Sequence, residues 1–295
     1  MAVSAGRAPG RHAPAGNFED VAVSVIGLGL MGGSVAKAMR RAGVPVTAWD
    51  RDEAVLTMAL AEGAITRAAA SGEDAVAGAD LTVLCLYPGD TLDFLRGHAG
   101  SFAPGSVVTD ICGVKQPVAQ GALNITGSFE FVPGHPMAGR ERGGYGQSVE
   151  TLFDGCNYLL TPLPGGSGRA LDLVRSFAGT LGAATIVETT PQEHDSMIAY
   201  TSQLPHALAV AYVLAAAGRN PLPFSAGSYR DVSRVAAINA PLWSELFAGN
   251  ADALLAEMDR LRAGMDALED MLRRGDRRGI RAMMEQAAQA REAGL

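Results

Sequence analysis

Two histidines and an arginine stand where proton transfer and anion binding need them. His135 sits in the segment FVPGHPMAGRE, directly after FEFVPG (129–134), which reads as a strand. That places it at the carboxyl end of a strand, the edge of an open α/β sheet where ligands bind. A neutral imidazole there can take a proton from a substrate hydroxyl while hydride leaves the same carbon. Pro136 stiffens the turn, and Gly134 and Gly139 keep bulk away from it. His206 follows Ser202 and Gln203 by four and three residues, so all three share one helical face. Pro205, in the same helix, removes a backbone donor and leaves a carbonyl unpaired, which a polar cleft tolerates. Arg234 offers a guanidinium fork suited to a carboxylate. Position alone leaves each with a bland alternative: a structural loop histidine, a packed helical histidine, and an arginine paired with Asp231.

A second constellation suits a dinucleotide. Gly27, Gly29 and Gly32 fit G-x-G-x-x-G, with Leu28, Leu30 and Met31 between them, directly after an apolar strand and before a helix. The first glycine permits the tight turn, the second lets backbone approach a pyrophosphate, and the third lets helix and strand pack closely. Asp50 ends the next strand, where an acid binds adenosine ribose hydroxyls. Its carboxylate would repel a 2′-phosphate, which favours NAD, while the adjacent Arg51 keeps NADP open.

These residues need a scaffold, and the chain supplies two kinds. From Val21, apolar strand candidates at 21–27, 45–50, 81–86, 106–111 and 129–134 alternate with helical stretches near 31–42, 53–62 and 91–98. That alternation predicts a parallel sheet of βαβ units, which 157–162 and 184–189 would extend. After Pro191 the β signals stop. Residues 192–218 read as one long helix interrupted by Pro205, and 251–274 carry a seam of Leu255, Met258, Leu261, Met265, Leu268 and Leu272. The expected architecture is an α/β Rossmann-type domain with a mostly parallel sheet (19–190), followed by an all-α dimerisation domain (191–295). Residues 1–18, rich in Ala, Gly, Pro and Arg, are expected to form a disordered tail without the apolar core of a signal peptide.

Composition narrows the function further. Of 295 residues, 48% are hydrophobic and 19% charged, as in soluble globular proteins. The net charge of -7, without a basic run, argues against nucleic acid as the main partner. A small anionic substrate needs only one or two placed arginines. Cys85, Cys112 and Cys156 are widely spaced, so no zinc or disulfide framework is readable and no metal site is expected. A reducing cytoplasm is the simplest setting, and no apolar run has membrane-spanning length.

GLGLMGGS, TDICGVK (109–115), GHPMAGRE (134–141), LPHALA (204–209) and YRDVSRVA (229–236), followed by Leu242 and Trp243, occur in an order shared with a known family. From about Val21 to Phe247 the chain resembles the prephenate and arogenate dehydrogenases of tyrosine biosynthesis. The resemblance implies oxidation of a cyclohexadienol at C4 with hydride transfer to NAD, coupled to loss of carbon dioxide from C1. It implies that His135 accepts the C4 hydroxyl proton, that His206 lies in the substrate pocket, and that Arg234 binds a substrate carboxylate. It also implies a homodimer formed through the helical half. Tyrosine feedback, where it occurs, is expected at the active site, where the product resembles the substrate.

Three positions depart from the family pattern. Gly113 replaces a serine that orients histidine and substrate in many relatives, Gln203 replaces a histidine, and Arg140 replaces a small polar residue. Arg140 beside the His135 loop can bind a carboxylate or pair with Glu141. Prephenate is the expected substrate because His206 is retained. Arogenate and the C4-amino analogue of prephenate are the alternatives. A β-hydroxyacid dehydrogenase fits less well, because residues 192–295 contain no lysine. An NAD-binding sensor without chemistry would have no need of His135, His206 and Arg234 together.

Overall fold

The computed structural model describes residues 11–12, 18, 20–140, 142–216 and 218–294. In chain order, these form β1 (Arg11–His12), β2 (Val23–Ile26), α1 (Leu30–Arg41), β3 (Val46–Trp49), α2 (Glu53–Ala61), β4 (Arg67–Ala68) and α3 (Gly72–Val76). There follow β5 (Leu81–Leu84), α4 (Pro88–His98), β6 (Val107–Asp110), α5 (Gln116–Leu123), β7 (Glu130–Phe131), β8 (Gly134–Pro136) and β9 (Asn157–Leu160). Then come α6 (Gly168–Leu181), β10 (Thr185–Glu188) and α7 (Pro191–Ile198), a π-helical turn over Ala199–Gln203, and α8 (Leu204–Ala215). The chain closes with α9 (Gly227–Arg234), α10 (Ala240–Gly249), α11 (Ala251–Arg274) and α12 (Arg277–Glu292).

The first sheet is parallel throughout, in the order β4-β3-β2-β5-β6-β7. β2, β5 and β6 are buried along their whole length, as strands covered by helices on both faces must be. Strand order reverses between β2 and β5, and the crevice beyond that switch point is where such sheets hold ligands.

The later strands do not extend this sheet. β8, β9, β10 and β1 form a second sheet in the order β1-β10-β9-β8, with β9 and β10 parallel and the outer strands antiparallel. The run 129–134 divides between the two sheets. Pro133 has no N–H to continue the first ladder, and its carbonyl instead accepts Thr161 N–H at 3.0 Å beside β9. His135 therefore lies inside β8, opposite Leu159, rather than on a loop closing a parallel strand.

Part of the expected disordered tail is ordered. Arg11–His12 pair with Ile186 and Val187, and Phe18 is buried with its ring 6.3 Å from that of Phe177. The rest of that segment lies outside the described residues. After Glu188 every element is helical. The long helix expected over 192–218 takes a π turn at Ala199–Gln203, just before Pro205. Proline clashes with the carbonyl four residues back, and a wider turn relieves this.

Candidate active site

The glycine turn is built for close approach. Gly27 has φ +87°, and a Cβ there would meet the Cys85 carbonyl oxygen at 2.8 Å, across the switch point. A Cβ on Gly32 would sit 1.8 Å from the Gly27 carbonyl oxygen, so only glycine lets α1 start this close to β2. At Gly29, by contrast, nothing lies within 4 Å of that position. Gly29 caps α1 without a side-chain hydrogen bond, and the first turn carries no acid. With open space beside Gly29 and no side-chain cap, the N-terminus of this twelve-residue helix is a setting fitted to phosphate.

Asp50 follows β3 and accepts Leu28 N–H at 2.6 Å and Asp52 N–H at 2.9 Å. It braces the turn and keeps further carboxylate lone pairs for a diol. Leu28 and Leu30 are buried, Met31 is partly buried, and Arg51 is exposed. The residues present therefore fit a dinucleotide.

His135 stands at the end of a buried relay that its own sequence neighbourhood does not reveal. Asp195, at 0% exposure, accepts His194 Nδ1–H at 2.7 Å. Its two oxygens also accept the backbone N–H groups of Lys115 (2.7 Å) and Gln116 (2.8 Å), which open α5. A carboxylate only accepts, so the proton on His194 belongs to Nδ1 and its Nε2 carries a lone pair. That lone pair lies 2.9 Å from His135 Nδ1, which must then donate. The remaining nitrogen, His135 Nε2, is left unprotonated. Burial, the neighbouring His194 and the Lys115 charge together push the His135 pKa well below the usual histidine range. Burial also lowers that of His194, against the pull of Asp195. Both rings are therefore neutral near pH 7, and His135 Nε2 is a base.

A buried ion pair fixes the strand beneath. Lys115 Nζ donates to the Asp110 carboxylate and to the Gly134 carbonyl, and both side chains are fully buried. Asp110 also accepts Cys112 N–H at 2.9 Å and Gly134 N–H at 3.2 Å. Lysine and aspartate together hold Gly134, the residue before His135, by both its backbone groups.

α10 builds the opposite wall. The Trp243 ring lies against His206 with centroids 3.8 Å apart and planes tilted by 32°, and Leu246, three residues on and so on the same face, packs over Gly113 beside His135. His206 Nδ1 donates to the Ser202 carbonyl at 2.8 Å. Burial lowers the His206 pKa and the charge of Arg234 lowers it further, although the bond to Ser202 pulls the other way. Arg234, at the end of α9, thus lies within electrostatic reach of His206.

Not every expected site residue joins this pocket. Gln203 is buried, donating to the Leu246 carbonyl at 3.0 Å and accepting from Asn250 at 2.8 Å, so its amide is spent on packing. Asn250 in turn donates to the Asp195 carbonyl at 2.8 Å, tying α11 to the relay. Ser202 contributes through its backbone carbonyl. Arg140 is exposed and donates to the Gln147 carbonyl at 3.3 Å, while Glu141 lies outside the described residues. The sequence reading missed His194, Asp195, Lys115, Asp110 and the role of Trp243. The available signal was polar residues where helix α7 must bury a face, which by itself does not say what they meet.

A two-domain dinucleotide-dependent oxidoreductase is the class that this fold and relay define. The family model described as the nucleotide-binding domain of prephenate dehydrogenase matches residues 35–187, and the one described as its dimerization domain matches 190–286. The chain belongs to the prephenate dehydrogenase family. A cyclohexadienyl dehydrogenase of Zymomonas mobilis is 30% identical over 254 residues, covering 83% of this chain and 86% of that protein. A prephenate dehydrogenase of Bacillus subtilis is 29% identical over 265 residues, covering 86% and 71%. The solved prephenate dehydrogenase of A. aeolicus, in complex with hydroxyphenyl propionate and NAD+, superposes with a TM-score of 0.85 over 93% of this chain and 98% of that one. At 24% identity that likeness speaks for the fold.

Proposed function

We propose that this chain oxidatively decarboxylates prephenate to 4-hydroxyphenylpyruvate with NAD+, the step that commits the substrate toward tyrosine. The observation that carries the reading is the unprotonated His135 Nε2, set by the Asp195–His194 relay. When bound, NAD+ supplies the hydride acceptor, and the open cradle at Gly29 and the Asp50 carboxylate suit it better than NADP+. His135 Nε2 accepts the C4 hydroxyl proton as the C4 hydrogen departs with its electron pair. The C1–carboxylate bond then breaks, its electrons enter the ring, and carbon dioxide leaves. A phenolate is far more basic than the imidazolium of His135, since a phenol has a pKa of about 10. The proton therefore returns to oxygen and the base is restored. Overall one hydride and one carbon dioxide leave, and the proton is only lent.

Arg234 is the group that holds the substrate's carboxylate end, and His206 lies beside it in the same pocket. One observation favours arogenate as a second substrate. With Nδ1–H committed to Ser202, neutral His206 presents an Nε2 lone pair, which accepts from an ammonium. Holding a keto acid through His206 instead requires its imidazolium form. The exposed apolar face of α11 supports a homodimer through the helical half, and the three cysteines are free thiols compatible with a reducing cytoplasm. No helix among the described residues is long and apolar enough to cross a membrane.

The test is a panel of prephenate, arogenate and the C4-amino analogue, each with NAD+ and NADP+, followed by absorbance of the reduced nucleotide. Prephenate with NAD+ should give the highest kcat/KM, and arogenate should gain relative to prephenate as pH rises. No reduced nucleotide with any of the three would overturn the reading.

A further inference from the structure

We propose that Gly113 and Leu246 form a coupled pair that determines what the base can meet, a proposal that rests on the assignment of His135 above. The two residues come from different halves of the molecule. Gly113 follows β6, and Leu246 lies on α10. A Cβ on Gly113 would stand 3.2 and 3.4 Å from the two Leu246 methyl groups and 3.8 Å from His135 Nε2. Any side chain at 113 would therefore enter the space between the base and the leucine and press on Leu246, which is itself only 7% exposed.

The leucine is poorly placed to yield. Its own carbonyl is held by Gln203, and Gln203 by Asn250. Its helix is pinned to the nucleotide-binding half at two further points. Glu245 accepts Gly89 N–H at 3.0 Å near the start of α4, and Asn239, which caps α10, donates to the Tyr87 hydroxyl at 2.7 Å. Close-packed interiors transmit such constraints rather than absorb them.

The chemical consequence is that methyl groups, not a second polar side chain, flank His135 Nε2 on this side. A group at substrate C4 meets a hydrogen-bond acceptor with an apolar wall beside it, so a donor is admitted and must part with its proton to that nitrogen alone. A hydroxyl introduced at 113 would come within hydrogen-bonding reach of the same nitrogen, but only if the leucine were cut back. The glycine and the leucine are thus one feature, and neither is replaceable by itself.

A double-mutant cycle over Gly113→Ser and Leu246→Ala tests this, read by kcat/KM, by its pH profile and by Tm of the enzyme without ligands. Gly113→Ser alone should lower both kcat/KM and Tm, because the leucine is crowded. Leu246→Ala alone should lower both, because a cavity opens. The double variant should exceed the product of the two single effects on kcat/KM by about tenfold, with Tm recovering in parallel. Its acid limb should also move to lower pH, since a hydroxyl donating to Nε2 stabilises the neutral ring. Single effects that simply multiply, or a Gly113→Ser variant with unchanged kcat/KM and Tm, would overturn the proposal. The Tm arm needs no turnover, so it stands or falls separately from the assigned reaction.

Discussion

Around His135 the molecule buries charge, whereas along α11 and α12 it exposes apolar side chains. Asp110, Lys115 and Asp195 have no measurable exposure, and each is satisfied by several partners. In the helical half, Leu255, Met265 and Leu272 of the α11 seam are 52%, 59% and 61% exposed, and α12 buries none of its residues. An open groove lined by Tyr200, Leu204, Pro205, Leu208 and Leu261 runs beside that seam. The contrast shows where each half finds its stability. The region around His135, built from the nucleotide-binding half and from α7, carries the cost of desolvated charge to hold one imidazole in one tautomer. The helical half leaves apolar surface that the other described residues do not cover, as a surface made for a partner does.

The strongest way to break the first side of this comparison is to remove the base. His135→Asn should lower kcat by about 10²–10⁴-fold with a much smaller change in KM. In the parent enzyme, kcat/KM should hold as pH falls through the ordinary histidine range and decline only below it, because the neutral form is required and its pKa is depressed. A parent acid limb centred near 6.5 would contradict the buried relay.

Next comes the ion pair under the strand. Lys115→Met leaves Asp110 charged and buried without its cation, and should cost about 3–5 kcal/mol in chemical denaturation. A loss of only a few tenths would mean that water reaches Asp110 and that the site is less dry than its geometry indicates. The smallest effect on the catalytic centre is expected at the seam. Replacing Leu255 and Met265 with Arg should yield monomers by light scattering, with Tm losing its dependence on protein concentration. If those variants stay dimeric, the exposed face serves something other than self-association.

The periodic features were legible early. β2, β5 and β6 could be read as short apolar runs because strands buried on both faces tolerate little else. The glycine turn could be read because Gly27 and Gly32 have no sterically possible replacement. The run 129–134 misled, since one proline hands the chain from the first sheet to the second. Gln203 misled as well. Its place on the His206 face of a helix suggested the pocket, but its amide is taken up by the Leu246 carbonyl and Asn250, which come from α10 and the start of α11.

From its residues alone, this chain determined a dinucleotide turn, a histidine suited to proton transfer, and an α/β half followed by a helical one. Those follow from local sterics and periodicity, which act between residues near in sequence. The tertiary structure decided which nitrogen of His135 is left free to accept a proton, because His194 and Asp195 lie some sixty residues away and reach it only through the packing of α7 against α5. It also decided what stands beside that nitrogen, because Leu246 arrives from the other half of the molecule. Protonation and close contact depend on neighbours in space, and a sequence orders neighbours only along the chain.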